Sequence, residues 1–359
     1  MSTQTLADTD VIECQDGLAH LWEKNLGVSV GTLDDYFERG GDSLRGTELL
    51  TWIYDRFGVE LSLLDLFESR TIAAQTDLLL GRMRTKSSTV ARPKTEYRYF
   101  GPENKRLFGA WHHSQTGEAS TAVVLCYPMG QEYMRIHRTY VELARSLAEQ
   151  GLEVLRFDYY GCGDSSGETT EGTLKQWTSD ILQATRELRI ETGLREVHLV
   201  GSRIGANLAL RVAQMSADVA AVVLWEPVLN GVEYLATLEK AHHNLLHNNA
   251  KMDGYDRAKS WFVELVGYPV TKELYDELAA IDLFASPVSK TPDVLVLANT
   301  DKPLLQEYTN RLRSPANRVD YVSAGESDAI WLKEDRQNKG VVPARTVQAI
   351  ASWLVGRHS

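Results

Sequence analysis

Cysteine is scarce in this chain: its 359 residues include three, Cys14, Cys126 and Cys162. The number is odd, the spacings are long and no CxxC occurs, so neither a disulfide framework nor a zinc knuckle can be assembled. Long apolar runs are missing too. No stretch reaches the roughly 18 apolar residues that a membrane helix needs, and none is expected. The opening residues, MSTQTLADTDVIECQ, contain no apolar core and no basic flank, so no signal peptide is expected there. Positive charge is in deficit, with 38 Lys and Arg against 49 Asp and Glu and a net charge of −11, which argues against nucleic acid as a partner. These absences predict a cytoplasmic chain with no membrane contact and no bound metal.

What is present is unevenly spread. Hydrophobic residues make up 43% and charged residues 24%, the composition of an ordinary globular protein. The length favours two domains. Residues 1–80 hold 15 acidic and 5 basic side chains, residues 81–95 hold 5 basic and no acidic ones, and residues 96–359 hold 34 acidic and 28 basic ones. A small acidic head (8–80), a basic connector (81–95) and a large body (96–359) follow. The head shows Val11, Ile12, Leu18, Leu21, Trp22 and Leu26 at helical spacing over 9–26. A second helix is expected from Ser43, a short one over Leu61–Phe67 and a last one from Thr71. The connector, GRMRTKSSTVARPKT, has the small, polar and proline content of a linker.

From Tyr97 the pattern becomes one of strands alternating with helices. Strands are expected over Leu107–Trp111, Thr121–Tyr127, Glu153–Phe157, Val197–Val200, Val219–Leu224, Val294–Leu297 and Val319–Val322. Helices are expected around Tyr140–Glu149, over Leu174–Ile190, from Ile204 and over Val347–Leu354. This alternation predicts an α/β fold with a mostly parallel sheet. Between about 230 and 287 it lapses, and a helical lid insertion is expected there.

In the head, the segment DYFERGGDSLRGTELL places Ser43 at a helix start after Gly40, Gly41 and Asp42. No His or Cys in the segment would activate it as a nucleophile, so it suits a residue modified by another enzyme. A phosphodiester there would meet the free N–H groups and dipole of the helix. The plainer reading is that Ser43 only caps the helix. On Phe37, Gly40, Gly41, Asp42, Ser43 and Leu44, residues 10–80 resemble an acyl or peptidyl carrier domain of nonribosomal peptide and polyketide systems. The resemblance implies 4′-phosphopantetheine attached covalently to Ser43, flanked by Asp42 and Leu44. It also implies the partners: a phosphopantetheinyl transferase, an adenylation or acyl-loading enzyme, and downstream enzymes of secondary metabolism.

The body resembles the α/β-hydrolase superfamily. The segments that carry this are VVLCYPMG, FDYYGCGDSSG and, above all, VHLVGSRIGANLAL, which has the strand, glycine pair and helix of a nucleophile elbow. The resemblance implies backbone oxyanion-type donors at Met129 and Ile204. Where the motif has its serine, this chain has Arg203, a cation that cannot attack a carbonyl. Asp301, in ANTDKPL, stands at the acid's usual place, and Glu226, in LWEPVLNG, at an alternative one. The stretch SAGESDAIWLKED offers Ser327 and Asp328 where the histidine is due. The GCGDSSG turn and the arginine elbow are similar to those of exosortase-system-associated hydrolase-like proteins.

Ser202, Cys126 and Cys162 are candidate replacement nucleophiles, with a base from His242, His243 or His247. Arg203 either binds an anionic group or forms an internal ion pair with Glu226 or Asp301; Glu226 and Asp301 are also candidate general bases. Two functions stay open. The body acts on or binds the carrier-bound acyl group as a thioesterase-, acyltransferase- or cyclase-like domain by a non-serine route, or it is a non-catalytic pseudo-hydrolase that presents that group.

Overall fold

The computed structural model describes residues 3–57, 59, 61, 63–87, 94–116, 119, 121–248, 262–286, 292–325 and 342–356. The chain divides into two compact units, Met1–Ala91 and Arg92–Ser359.

The first unit consists of four helices, α1 (Thr3–Leu26), α2 (Ser43–Phe57), α3 (Leu63–Glu68) and α4 (Ile72–Ser87). The expected spacing brings Leu18 and Trp22 from α1, Leu49 and Ile53 from α2, Leu66 from α3 and Leu79 from α4 into one buried cluster. The Trp22 indole N–H donates to Gln75 Oε1 at 3.1 Å, which satisfies both buried polar groups. Tyr36, in the loop between α1 and α2, packs edge-on against Trp22 with ring centroids 5.0 Å apart. Helix α4 continues through Gly81 to Ser87, so it takes up the first residues of the expected connector. Alternating apolar content fades after Leu80, but Arg, Lys and Met are good helix formers and the helix does not stop there.

The second unit is built on an eight-stranded sheet. Its strands are β1 (Thr95–Phe100), β2 (Leu107–His112), β3 (Thr121–Cys126), β4 (Leu152–Phe157), β5 (Val197–Ser202), β6 (Val219–Trp225), β9 (Asp293–Ala298) and β10 (Val319–Ser323), in the spatial order β1-β2-β4-β3-β5-β6-β9-β10. β1, β2 and β4 pair antiparallel, and from β4 to β10 every pair is parallel. Every residue of β3 and of β5 is buried, as a parallel sheet covered on both faces requires. The covering helices are α5 (Gly130–Glu149), α6 (Leu174–Thr192), α7 (Ile204–Met215), α10 (Pro303–Leu312) and α11 (Ala344–Val355).

Several elements differ from expectation. Strand β1 and helix α10 were not foreseen. α5 begins at Gly130, well before Tyr140. The insertion contains α8 (Gly231–Asn248) and α9 (Lys272–Ala279), as a helical lid would, but also a two-stranded antiparallel hairpin of β7 (Phe262–Leu265) and β8 (Tyr268–Thr271). Its turn, Val266-Gly267, puts both residues at positive φ, the backbone that suits a tight hairpin.

Candidate functional site

The carrier motif lies where α2 begins. Asp42 Oδ1 accepts the Arg45 N–H at 2.8 Å and its carbonyl accepts the Gly46 N–H at 2.7 Å, so Asp42, not Ser43, caps the helix. Ser43 is left as the first helical residue. The side chains of Ser43 and Leu44 lie outside the described residues. The loop reaches this point because Gly41 has no side chain: a Cβ there would lie 2.3 Å from the Tyr36 ring. The Tyr36 hydroxyl donates to Asn25 Oδ1 at 2.6 Å and fixes the ring that the loop rests on. These residues fit a phosphopantetheine: a serine at a helix N-terminus, with Asp42 and Arg45 exposed and open space beside Gly40. When bound, the group supplies a thiol that carries acyl groups as thioesters.

In the second unit, β5 turns into α7 through Arg203, at φ 53° and ψ −125°. A non-glycine residue in this backbone region is strained and persists only where its surroundings impose it. The imposing contacts are specific. The Arg203 N–H donates to the Trp225 carbonyl at 3.0 Å, the last carbonyl of β6. Glu226, which follows β6, repeats the step: its φ is 50° and its N–H donates to the Leu297 carbonyl at 2.8 Å in β9. A Cβ on Gly205 would lie 2.2 Å from the Cys126 carbonyl oxygen and 2.4 Å from that of Tyr127, so α7 packs backbone-to-backbone on the end of β3. Gly205→Ala is expected to destabilise this unit by about 2 kcal/mol through overpacking, read as a lower midpoint in denaturant unfolding. An unchanged midpoint would mean that the elbow is looser than described.

The Arg203 side chain is 17% exposed and paired. Its Nε donates to Glu132 Oε1 at 2.9 Å, and Glu132 is 12% exposed. One Nη donates to the Glu226 carbonyl oxygen at 3.2 Å, and the guanidinium lies 5.2 Å from the centre of the Tyr234 ring. The Tyr234 hydroxyl donates to the other Glu132 oxygen at 2.9 Å. Burial, the largest single influence, lowers the Arg203 pKa, but the surrounding groups, led by the Glu132 carboxylate, together raise it above the usual value. Arg203 is thus held charged and in place. The ion pair expected with Glu226 or Asp301 is not the one formed, because both acids are engaged elsewhere. Glu226, 2% exposed, accepts the Asn299 N–H at 2.7 Å and pairs with Lys302. Asp301 is exposed and accepts from Gln306 at 3.3 Å.

Met129 stands at the N-cap of α5 and Ile204 at the first position of α7, both buried. Their N–H groups belong to the first-turn donors that a helix leaves without intrahelical partners. A narrow cleft beside Met129 is lined also by Gly130, Glu132, Tyr234, Val266 and Tyr268.

The alternative nucleophiles are subdued. Ser202 is fully buried with Tyr140 Oη 3.0 Å from its Oγ. Burial pushes the Cys126 thiol far up. It pushes the Cys162 thiol up to about 12, partly offset by the Tyr268 hydroxyl 3.6 Å away. His242 is buried and its Nδ1 accepts the Val266 N–H at 3.1 Å, while His243 is exposed. Ser327, Asp328 and the His247 side chain lie outside the described residues. Among the described residues no cluster of three or more His, Cys, Asp or Glu could hold a metal ion, and no helix is long and apolar enough to cross a membrane.

Glu132, Tyr234 and Lys302 are the site residues that sequence reasoning missed. Glu132 had a signal, an acidic residue in the first turn after Pro-Met-Gly. Lys302 adjoins the expected acid Asp301. Tyr234 had none.

Known protein families match a stretch in each of the two units. The phosphopantetheine attachment site family matches residues 16–79, and the serine aminopeptidase S33 family, described as Hydrolase_4, matches residues 117–263. Gramicidin S synthase 2 of Brevibacillus brevis is 42% identical over 74 residues, 20% of this chain and 2% of that protein. Indigoidine synthase of Streptomyces lavendulae is 28% identical over 180 residues, 49% of this chain and 12% of that protein. The chain therefore spans a small part of the curated relatives it matches. An esterase from Pyrococcus furiosus has the same fold, with a TM-score of 0.51 and 16% identity over 74% of this chain and 92% of that one. The chain joins a carrier domain of the phosphopantetheine-attachment family to an α/β-hydrolase domain.

Proposed function

We propose that Ser43 carries an acyl or aminoacyl thioester on phosphopantetheine, and that the hydrolase-fold unit receives and presents this group without forming an acyl-enzyme. One observation carries the reading: the residue at the elbow apex is Arg203, locked in an ion pair with Glu132 and braced by Tyr234. A guanidinium stays protonated and is no nucleophile. The apex still offers first-turn N–H donors and a fixed positive charge, which suit a thioester carbonyl or an acidic substituent on the acyl group. A phosphopantetheinyl transferase and an acyl- or aminoacyl-loading enzyme of a nonribosomal peptide-type pathway are the implied partners, and the reading places the chain with them in the cytoplasm.

The experiment is to load the full chain with an acyl-pantetheine and follow its intact mass. The thioester is expected to persist for the same time in the wild type, in Arg203→Ala and in Asp301→Ala. It is also expected to react more slowly with hydroxylamine in the wild type than in Arg203→Ala. Rapid self-release that Arg203→Ala or Asp301→Ala abolishes would overturn the reading in favour of a thioester-processing enzyme working by a non-serine route.

A further inference from the structure

A second arginine of the same unit is buried as deeply as Arg203 and, among the described residues, has no counter-ion within ion-pair distance. Arg156, in β4, is 6% exposed. It stands opposite Ala110 of β2, which stands opposite Tyr97 of β1, so these side chains share one face of the sheet. Helix α5 presents Tyr133, His137 and Val141 at four-residue spacing, on one face of the helix. Between the two runs lies a cleft open to solvent, lined by Tyr97, Phe108, Tyr133, His137, Arg156 and Asp158 among others.

Among the described residues Arg156 bonds neutral groups. Its Nε donates to His112 Nε2 at 2.9 Å and one Nη donates to the Tyr127 hydroxyl oxygen at 3.0 Å. Burial, and then Arg156 itself, hold the His112 pKa down at about 3, so this histidine stays neutral. Its accepting Nε2 leaves the ring proton on Nδ1, 3.1 Å from Thr95 Oγ1. Among the described residues no carboxylate comes within ion-pair distance of the guanidinium. Of the two acids that line the cleft, Asp158 is committed elsewhere: Oδ1 accepts the Tyr133 hydroxyl at 2.6 Å and Oδ2 accepts the Asp164 N–H at 3.0 Å. His137 is kept neutral by burial and by Arg156. Asp164 is exposed.

A desolvated cation without an anion is costly, and a bound anion would relieve that cost. The groups left over define it. The second Nη of Arg156 and the Tyr127 hydroxyl proton, free because the oxygen accepts from Arg156, form a two-point donor set that matches a carboxylate. The rings of Tyr97, Phe108 and Tyr133 offer stacking walls for a flat apolar body. The neighbouring Asp158 charge disfavours a dianion such as phosphate.

We propose that this cleft binds a small aromatic monocarboxylate, its carboxylate on Arg156 and Tyr127 and its ring against Tyr97, Phe108 and Tyr133. The site is separate from the elbow and its test does not depend on the carrier. Calorimetric titration of the full chain should show phenylacetate binding and phenylacetamide, its uncharged isostere, binding at least about tenfold more weakly. Inorganic phosphate should not compete. Arg156→Gln should abolish binding. Tyr127→Phe keeps the ring and removes one donor, so it should weaken binding about fivefold and decides the matter if Arg156→Gln does not fold. No binding of phenylacetate by the wild type, equal binding of acid and amide, or binding untouched by Tyr127→Phe would each overturn the proposal, as would displacement by phosphate.

Discussion

Ser43→Ala is expected to abolish modification of the chain completely. With a broad-specificity phosphopantetheinyl transferase and coenzyme A, the wild type should gain the mass of one phosphopantetheinyl group and the variant none. The substitution separates attachment from folding. Asp42 caps α2 through the Arg45 N–H, so the helix start does not rely on the Ser43 hydroxyl. Stability should therefore change by less than about 0.5 kcal/mol, whereas Asp42→Ala should cost about 1 kcal/mol of the helical unit while leaving the attachment group in place. A variant that still gains the full mass would place the attachment elsewhere. A variant that loses the mass together with its helical circular dichroism would leave Ser43 with a structural role only.

The second large effect concerns the elbow. Glu132→Ala leaves Arg203 buried beside the Tyr234 ring with its counter-ion gone, and leaves the Tyr234 hydroxyl without its acceptor. Removing one member of a buried pair costs about 3–5 kcal/mol, and the residual exposure of both side chains puts this one near about 3 kcal/mol. For a unit of this size the melting transition of the hydrolase fold should fall by roughly 9 °C, with the carrier transition unmoved. The double variant Glu132→Leu with Arg203→Met should recover most of the loss, since it removes both charges together. A drop of under about 2 °C for Glu132→Ala would mean that Arg203 is solvated rather than held by the pair.

Much of the architecture was legible because the central strands announce themselves. The runs TAVVLC and VHLVGS are apolar throughout, and burial on both faces is the only environment that suits them. Strand β1 was silent for the opposite reason. Its sequence TEYRYF buries only Phe100, as an antiparallel edge strand can, and without a hydrophobic face it reads as a loop. The start of α5 was obscured in the same way: GQEYMRIH offers one buried residue, Ile136, before the strong run from Thr139. The hairpin in the insertion is short and mostly half-buried, so its alternation was too weak to read.

The site divides along a similar line. Arg203 and Glu226 were found because the glycine pair and the strand ends fix their positions locally. Glu132 was not, because its contact with Arg203 joins residues 71 apart and exists only once β3 and β5 lie side by side. The same holds for Lys302 and Glu226, 76 residues apart. Motif spacing locates the place where chemistry would occur; which charges meet there is decided by the order of the strands.

The left-handed step at Arg203 recurs at Glu226, one strand over, in the same register with the next carbonyl. The bend is therefore a property of how this sheet ends and owes nothing to the atom displayed on it. Shape and reactivity can be inherited separately. A hydroxyl written into position 203 would arrive on a backbone already bent for it, yet it would leave Glu132 without its counter-ion.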